Sequence, residues 1–398
     1  MSLPLVFRGQ FILPDRIVTG AMIVRDGRIE EILDPAAVMP EDAVVIDAGD
    51  GYLSPGFVDL HVHGGLGGDF MDGTEDAFKK ALTAHVRHGT TRMAITTTVA
   101  RHEQIMATLQ LARQFRQSPC PNGARVMGAH FYGPYFRKEA KGAHPGAAIR
   151  PAISEEYEQY LEFADDLVTA TVAPEIEGAK DFAFACREQG VRTNAGHSWA
   201  TFAQMEEAVG WGVRHVDHLF CAMSDKTRLR QFQMYPMQGG VLEATLYFDE
   251  LTTEVIADGK HLDAGLLKLA LKIKGSDRLA LVTDCSRALD MPDGDYMIGP
   301  LDGGEPLMKK NGVGQMPDGL ALASSVEGMD HMLRTFLEYT GCPLWEAVKM
   351  ASLTPARIAG REMELGSLER GKAADVVVFD RELNVQRVFI EGAEIALA

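Results

Sequence analysis

The chain has 398 residues, which suits one large α/β domain with an accessory part. The chain has 39 Lys and Arg residues and 56 Asp and Glu residues. The resulting formal charge of −17 argues against a general binder of nucleic acid or anionic membranes. Five scattered cysteines without a CxxC pair indicate neither a zinc knuckle nor a disulfide framework. The sequence shows no signal peptide and no transmembrane run, so we expect a reduced cytoplasm as its location.

Short strands and turns occupy both ends of the chain. The strand-like segments are residues 5–12, 21–24, 29–33 and 44–47 at the start, and 374–379 and 385–390 at the end. Asp26-Gly27 between apolar runs is a hairpin signal. We predict that residues 1–54 and 359–398 form one small β-sandwich domain, with residues 55–358 inserted between them.

The inserted segment alternates strand-like with helix-like stretches. Strands are predicted at 90–99, 125–130, 167–173, 191–196, 213–218, 241–247, 253–257 and 279–283. Helices are predicted at 78–89, 102–117, 155–164, 202–211, 326–339 and 344–351. This number of βα units predicts an α/β fold, a (β/α)8 TIM barrel over residues 55–358.

The stretch at 56–64, GFVDLHVHG, carries two histidines on alternate positions of an apolar strand. Because side chains in a strand alternate between faces, His61 and His63 point to the same side. Two converging imidazoles suit a divalent metal such as zinc, although a pair of ordinary histidines on a half-buried strand would look the same.

Other predicted strands also end in polar residues. His197 follows the strand at 191–196, His218 ends the strand at 213–218, and Asp284 follows the strand at 279–283. The carboxyl ends of barrel strands share one rim, so these side chains are expected to join His61 and His63 there. The set predicts a metal centre with a carboxylate.

Eight motifs together resemble a known family. They are GFVDLHVHG at 56–64, GAHFYGP at 128–134, KGAH at 141–144, APE at 173–175, GHS at 196–198, HLFCAM at 218–223, DGKH at 258–261 and TD at 283–284. In order and spacing they resemble the amidohydrolase superfamily, and within it the N-acetylglucosamine-6-phosphate deacetylases. The resemblance spans essentially the whole chain and implies a TIM barrel with a small β-sandwich, a divalent metal (zinc, one or two ions) and a homodimer.

The resemblance also implies roles for individual residues. His197 and His218 would be metal ligands, and His61 and His63 would belong to a second metal position that some members use. Asp284 would be the catalytic acid and base, and another metal ligand. A bound divalent metal acidifies its water, and Asp284 would take the water proton and pass it to the leaving amine. Alternatively, Asp284 is only a helix N-cap.

The same resemblance also implies which residues contact the substrate. His144 would contact the acetamide carbonyl and stabilise the developing oxyanion. The other candidate substrate-binding residues are Ala143, Cys221, Ala222, Arg228, Arg230, His261, Leu322, Ala323 and Ser324. His261 and the backbone at Cys221 and Ala222 would hold a phosphate, either Arg228 or Arg230 would assist, and Ser324 could equally be a plain N-cap.

Tyr132 departs from the family pattern, which has a metal-binding Glu at this position. A neutral phenol is a poor replacement for a carboxylate. Three alternatives follow: a single metal on His61, His63 and Asp284 with His197 or His218 orienting water, a weak site at His197 and His218, or loss of activity. On the phosphate side, Cys221 stands where the family has Asn.

Three hypotheses follow from the sequence. The first is a metal-dependent hydrolase that removes acetate from an N-acetylated amino sugar, N-acetylglucosamine-6-phosphate above all. The second is an amidohydrolase of another N-acyl sugar or a small, including cyclic, amide. The third is a catalytically silent sugar-binding or assembly protein.

Overall fold

The computed structural model describes residues 3–34, 40, 42–319 and 321–397. Its first four strands are β1 (Leu5–Ile12), β2 (Ile17–Arg25), β3 (Arg28–Leu33) and β4 (Val44–Pro55). β1 pairs antiparallel with β2 and parallel with β4. Immediately after β4, a Cβ on Gly56 would lie 2.2 Å from Thr91 Oγ1, so only glycine lets the chain enter the barrel here.

Eight parallel strands form the barrel. They are β5 (Phe57–Val62), β6 (Thr90–Thr96), β7 (Arg125–Tyr132), β8 (Leu167–Val172), β9 (Arg192–Ala195), β10 (Val213–Val216), β11 (Thr252–Ile256) and β12 (Leu279–Val282). Their order around the sheet is the order along the chain. The predicted TIM barrel is therefore confirmed.

The first and last barrel strands meet just beyond their carboxyl ends. Val62 forms a parallel bridge with Cys285, and the Asp284 N–H donates to the His61 carbonyl at 2.8 Å. Below this contact, the buried Asp59 carboxylate of β5 accepts from the Thr283 hydroxyl at 2.5 Å. These bonds close the barrel and set β5 beside the segment that carries Asp284.

Eleven α-helices lie in the described part of the chain. They are α1 (Glu75–Arg87), α2 (His102–Gln117), α3 (Ser154–Leu161), α4 (Ala179–Glu188), α5 (Phe202–Trp211), α6 (Lys226–Leu229), α7 (Val241–Tyr247), α8 (Ala264–Lys274), α9 (Met329–Thr340), α10 (Leu344–Ala351) and α11 (Leu353–Ile358). Within the described residues, no helix is both long enough and apolar enough to cross a membrane. The predicted helices at 102–117, 202–211 and 344–351 have the bounds of α2, α5 and α10.

Helix α7 corrects a prediction, because residues 241–247 were expected to form a strand. Val241, Ala244 and Thr245 are buried, which is the spacing of one helical face. The Glu243 carboxylate accepts from the Gly240 N–H at 2.7 Å and so caps the amino end. These local contacts outweigh the strand preference of the apolar run.

An antiparallel sheet that the sequence did not indicate follows the last barrel strand. Its members are β13 (Gly294–Ile298), β14 (Glu305–Lys310) and β15 (Val313–Gln315). Gln315 bridges to Leu322, and Ser325 bridges to Cys285. The sheet thus returns residues 322–325 to the barrel rim beside Asp284.

The last three strands return to the sheet of the amino-terminal strands. They are β16 (Val376–Phe379), β17 (Val385–Ile390) and β18 (Ala393–Ile395). The resulting seven-stranded sheet has the order β18-β17-β16-β4-β1-β2-β3. The two ends of the chain therefore share one small β domain, as expected, while the domain limits at residues 54/55 and 358/359 remain a prediction.

We expect an ion pair between the two sheets to contribute strongly to stability. Arg92 of the barrel meets Asp375 at 2.6 and 3.1 Å, and both side chains are largely buried. Replacing Asp375 with Ala leaves a buried guanidinium without its main partner, so the free energy of unfolding should fall by about 3 kcal/mol in urea denaturation. Glu394→Ala is the control: it breaks the exposed pair with Arg387 and should cost less than about 1 kcal/mol. Equal losses in both variants would contradict this expectation.

Candidate active site

Three buried side chains converge where the barrel closes. His61 lies near the end of strand β5 and His63 directly follows the strand; their Nε2 atoms lie 3.7 and 3.2 Å from Asp284 Oδ1. Two ligands on one tetrahedral zinc ion are about 3.3 Å apart, given metal–nitrogen bonds of about 2.0–2.1 Å. The three side chains therefore form a candidate metal-binding group.

Electrostatics also favour a cation at this group. Burial raises the pKa of the Asp284 carboxyl, but the nearby His61 and His63 outweigh burial and hold that pKa below its ordinary value. Burial alone would lower the pKa of His61, yet the carboxylates of Asp284 and Glu254 raise it to about 9. His61 Nε2 is buried and, among the described residues, has no hydrogen-bond partner. A buried ring nitrogen facing a carboxylate fits a divalent cation.

Buried polar side chains of neighbouring barrel strands hold His61 in place. Its Nδ1 lies 2.6 Å from Glu254 Oε1, while the other carboxylate oxygen of Glu254 lies 3.1 Å from His215 Nε2. A carboxylate behind a metal-binding histidine fixes the ring and its tautomer, here with Nε2 turned to the site. Glu254 is not among the site residues predicted from the sequence, although an acidic residue inside the strand predicted at 253–257 was a usable signal.

His215, Asp217 and Glu254 also have the spacing of a metal-binding group. Their ligand atoms are already engaged, because Asp217 accepts from Thr171 at 2.7 Å and from Asn194 at 2.9 Å. His215, Asp217 and Glu254 therefore form a hydrogen-bonded network, here called the floor, that supports the candidate metal-binding group.

His197 and His218 face each other beside this group, with the His218 ring centre 5.4 Å from that of His61. Their Nε2 atoms are 3.3 Å apart, and the Nδ1–H of His197 donates to the Ala140 carbonyl at 2.7 Å. The Tyr132 hydroxyl is hydrogen-bonded to His218 Nε2 at 2.6 Å. Burial lowers the pKa of both histidines, that of His218 to about 4, and raises the pKa of Tyr132.

A cavity of about 320 Å³ opens above these residues. Its lining includes His63, Tyr132, Ala143, His144, His197, His218, Cys221, Ala222, His261, Asp284, Leu322 and Ser324. Burial lowers the pKa of His144, which therefore remains neutral near pH 7. Burial raises the pKa of the Cys221 thiol to about 12, so this cysteine is not a thiolate nucleophile.

The cavity thus brings together most of the side chains expected to touch substrate. Ala323 is buried beneath the cavity wall, packed near Ala143 and Ile298. Arg228 lines an adjoining cavity, with its guanidinium 4.9 Å from the centre of the Trp199 ring. Arg230 is exposed and lines neither cavity. The roles of all these residues in substrate binding remain predictions.

The amidohydrolase family model matches residues 52–395. The chain belongs to the amidohydrolase family. It is 34% identical over 358 residues to the N-acetylgalactosamine-6-phosphate deacetylase of Escherichia coli O157:H7, with 90% of this chain and 91% of that relative covered. It is 31% identical to the N-acetylglucosamine-6-phosphate deacetylase of Vibrio furnissii, with 97% and 94% covered.

Solved structures agree with this assignment. The N-acetylglucosamine-6-phosphate deacetylase of Pasteurella multocida superposes with a TM-score of 0.90 at 27% identity, over 99% of this chain and 100% of that chain. A variant of the Mycobacterium smegmatis enzyme, in complex with N-acetyl-D-glucosamine-6-phosphate, gives a TM-score of 0.88 at 27% identity, over 99% of both chains. The resemblance read from the motifs is confirmed, and the family implies a divalent metal.

Glu254 offers a test of the floor beneath His61. Glu254→Gln keeps the shape but removes the charge that orients the His61 ring, so the affinity for a divalent metal should fall by about 10–100-fold. Isothermal titration with zinc measures this affinity. The control Glu250→Gln changes an exposed glutamate four residues away and should leave the affinity unchanged. Equal affinities in wild type and Glu254→Gln would refute the orienting role.

Proposed function

We propose that this amidohydrolase removes the acetyl group from N-acetylglucosamine-6-phosphate, releasing acetate and the free amine. One observation carries the proposal: His61, His63 and Asp284 converge at ligand spacing on a cavity that also contains His144 and His261. The similarity to deacetylases over more than nine-tenths of the chain supports the substrate class.

His61, His63 and Asp284 would hold the metal, which we propose to be zinc because imidazole nitrogen and carboxylate oxygen are common zinc ligands. When bound, the ion polarises the acetamide carbonyl and acidifies water. Asp284 accepts the proton of the attacking water and hands it to the amide nitrogen as the C–N bond breaks. The neutral His144 donates a hydrogen bond to the carbonyl oxygen as negative charge develops there.

The phosphate end of the substrate would lie near His261. Its Nδ1 is 2.7 Å from Asp258 Oδ2. Burial lowers the pKa of His261, but the bond to Asp258 outweighs burial and raises it above its ordinary value. His261 therefore carries positive charge to a higher pH than a free histidine and can attract an anion.

Asp284→Asn tests the chemistry. The amide cannot accept a proton, so acetate release should fall by about 10²–10⁴-fold in a coupled acetate assay. Asp295→Asn, on an exposed aspartate of β13, is the control and should keep wild-type activity.

The substrate panel for that assay separates the hypotheses. It contains N-acetylglucosamine-6-phosphate, its N-acetylgalactosamine epimer and unphosphorylated N-acetylglucosamine. Turnover of the epimer alone would replace the proposed substrate with that of the Escherichia coli relative. The absence of turnover on all three, with zinc supplied, would contradict the deacetylase proposal.

The raised pKa of His261 predicts a pH effect on KM. As pH rises through that pKa, the ring loses its charge, so KM for the phosphorylated substrate should rise by about tenfold. Asp258→Asn removes the group that raises the pKa, so the same rise should begin at lower pH. The KM for unphosphorylated N-acetylglucosamine is the control and should show no such shift. A KM profile identical in Asp258→Asn and wild type would contradict the role of His261.

We also propose a homodimer located in the cytoplasm. The segment after α6 exposes four large apolar side chains: Phe232, Met234, Tyr235 and Met237 are 68%, 57%, 84% and 51% exposed. Apolar clusters of this kind mark protein interfaces, and this one lies beside the cavity that Arg228 lines. All five cysteines are free thiols, which suits a reducing compartment.

The double variant Phe232→Glu/Tyr235→Glu tests the dimer. Burying two carboxylates in an apolar interface is costly, so the variant should elute as a monomer where wild type elutes as a dimer, measured by light scattering after gel filtration. Leu3→Glu/Met363→Glu changes two exposed apolar residues elsewhere and serves as the control. A wild-type monomer would refute the proposed dimer.

A further inference from the structure

The site contains two neighbouring sets of metal-type side chains, with the His61 and His218 ring centres 5.4 Å apart. His61, His63 and Asp284 form the first set, with a carboxylate oxygen 3.2 Å from the nearer ring nitrogen. His197 and His218 form the second set, with their Nε2 atoms 3.3 Å apart. Both separations match the ligand spacing of about 3.3 Å on one tetrahedral zinc ion. The spacing alone would therefore allow an ion at each set.

Tyr132 distinguishes the two sets. Its hydroxyl oxygen is 2.6 Å from His218 Nε2, which is a short hydrogen bond and too close for two ligands that share an ion. The phenol is 1% exposed, and its ring contacts those of His61, His63, His144 and His197 edge-on or tilted. Packing on all these sides holds the hydroxyl in place.

This hydrogen bond removes His218 as a ligand in either tautomer. If His218 carries its proton on Nδ1, the Nε2 lone pair accepts from the phenol. If the proton is on Nε2, that nitrogen has no lone pair to offer. In both cases His197 remains as a single neutral ligand, and one imidazole does not hold a divalent ion against water.

We propose that Tyr132 closes the His197–His218 pair to metal, so that the chain binds one divalent ion, at His61, His63 and Asp284. The inference rests on the metal centre of the proposed function and adds its stoichiometry. Tyr132, His197 and His218 then form a hydrogen-bonded wall of the cavity that faces the substrate.

Metal content per chain, measured by elemental analysis after zinc loading and gel filtration, tests the assignment. Wild type should hold one ion, His63→Ala should hold none, and His197→Ala should still hold one. Two ions in wild type, or loss of the ion in His197→Ala with retention in His63→Ala, would overturn the proposal.

Substitutions at Tyr132 test its part directly. Tyr132→Phe should keep one ion, and loss of the ion there would mean that the phenol oxygen is itself a ligand. Tyr132→Glu places a carboxylate beside both Nε2 atoms, which completes three ligands, so the count should rise from one to two. Adding His197→Ala to Tyr132→Glu should return the count to one.

A control variant and a folding check distinguish an effect of Tyr132 from a general loss of structure. Tyr135→Phe changes another buried tyrosine, whose hydroxyl binds Glu156 at 2.9 Å outside the cavity, and should not alter the count. Circular dichroism identifies folded variants, and a folded Tyr132→Glu that stays at one ion would overturn the closing role. Should Tyr132→Glu not fold, the wild-type and histidine counts still decide the stoichiometry. If wild type binds two ions and releases acetate, only this inference is wrong. If wild type binds one ion and releases no acetate, only the proposed function is wrong.

Discussion

The closure of the barrel between its first and last strands is the constraint on which the site depends. Asp59 on β5 binds the Thr283 hydroxyl and is within 3.3 Å of the Thr283 N–H, and the Asp284 N–H returns to the His61 carbonyl. Residues 223 and 224 positions apart in sequence are thereby fixed side by side. Burial raises the pKa of Asp59 to about 7, so an acidic side chain is retained in the core at some electrostatic cost, offset in part by these hydrogen bonds.

The barrel interior below the site is polar where most cores are apolar. His215, Asp217 and Glu254 are buried, and each finds its partners within the same layer. A satisfied polar network in a low dielectric is rigid, because breaking any one bond would leave an unpaired group away from water. That rigidity holds the His61 ring so that its Nε2 faces Asp284 Oδ1 at 3.7 Å. His61 and His218 have pKa values on opposite sides of the ordinary value, about 9 and about 4, although their rings are 5.4 Å apart. The carboxylates of Asp284 and Glu254 raise the pKa of His61, whereas burial and the charge on His61 lower that of His218.

The aromatic wall beside His61, which carries Tyr132 and His197, differs in kind from the metal group. Phe136 stacks on His197 with ring centres 4.5 Å apart, and Tyr132 packs edge-on against the same histidine. Aromatic neighbours exclude water and hold the imidazoles without supplying charge. The site is therefore asymmetric: a carboxylate and two histidines on one side, and a neutral aromatic wall on the other. Side chains of both groups line the substrate cavity.

By itself, the sequence determined the barrel, the small sheet of both termini and the rim on which the histidines lie. Those features follow from local periodicity: alternate side chains of a strand share a face, and parallel strands end at one rim. Other features required the tertiary structure. The helix at 241–247 begins where the distant Ser224 hydroxyl accepts from the Val241 N–H at 3.0 Å, and the sheet at 294–315 carries no strong pattern of its own. Glu254 beneath His61 and the hydroxyl of Tyr132 on His218 join different strands of the barrel. Contacts across strands depend on register and barrel closure, and the chain's local pattern does not encode either one by itself.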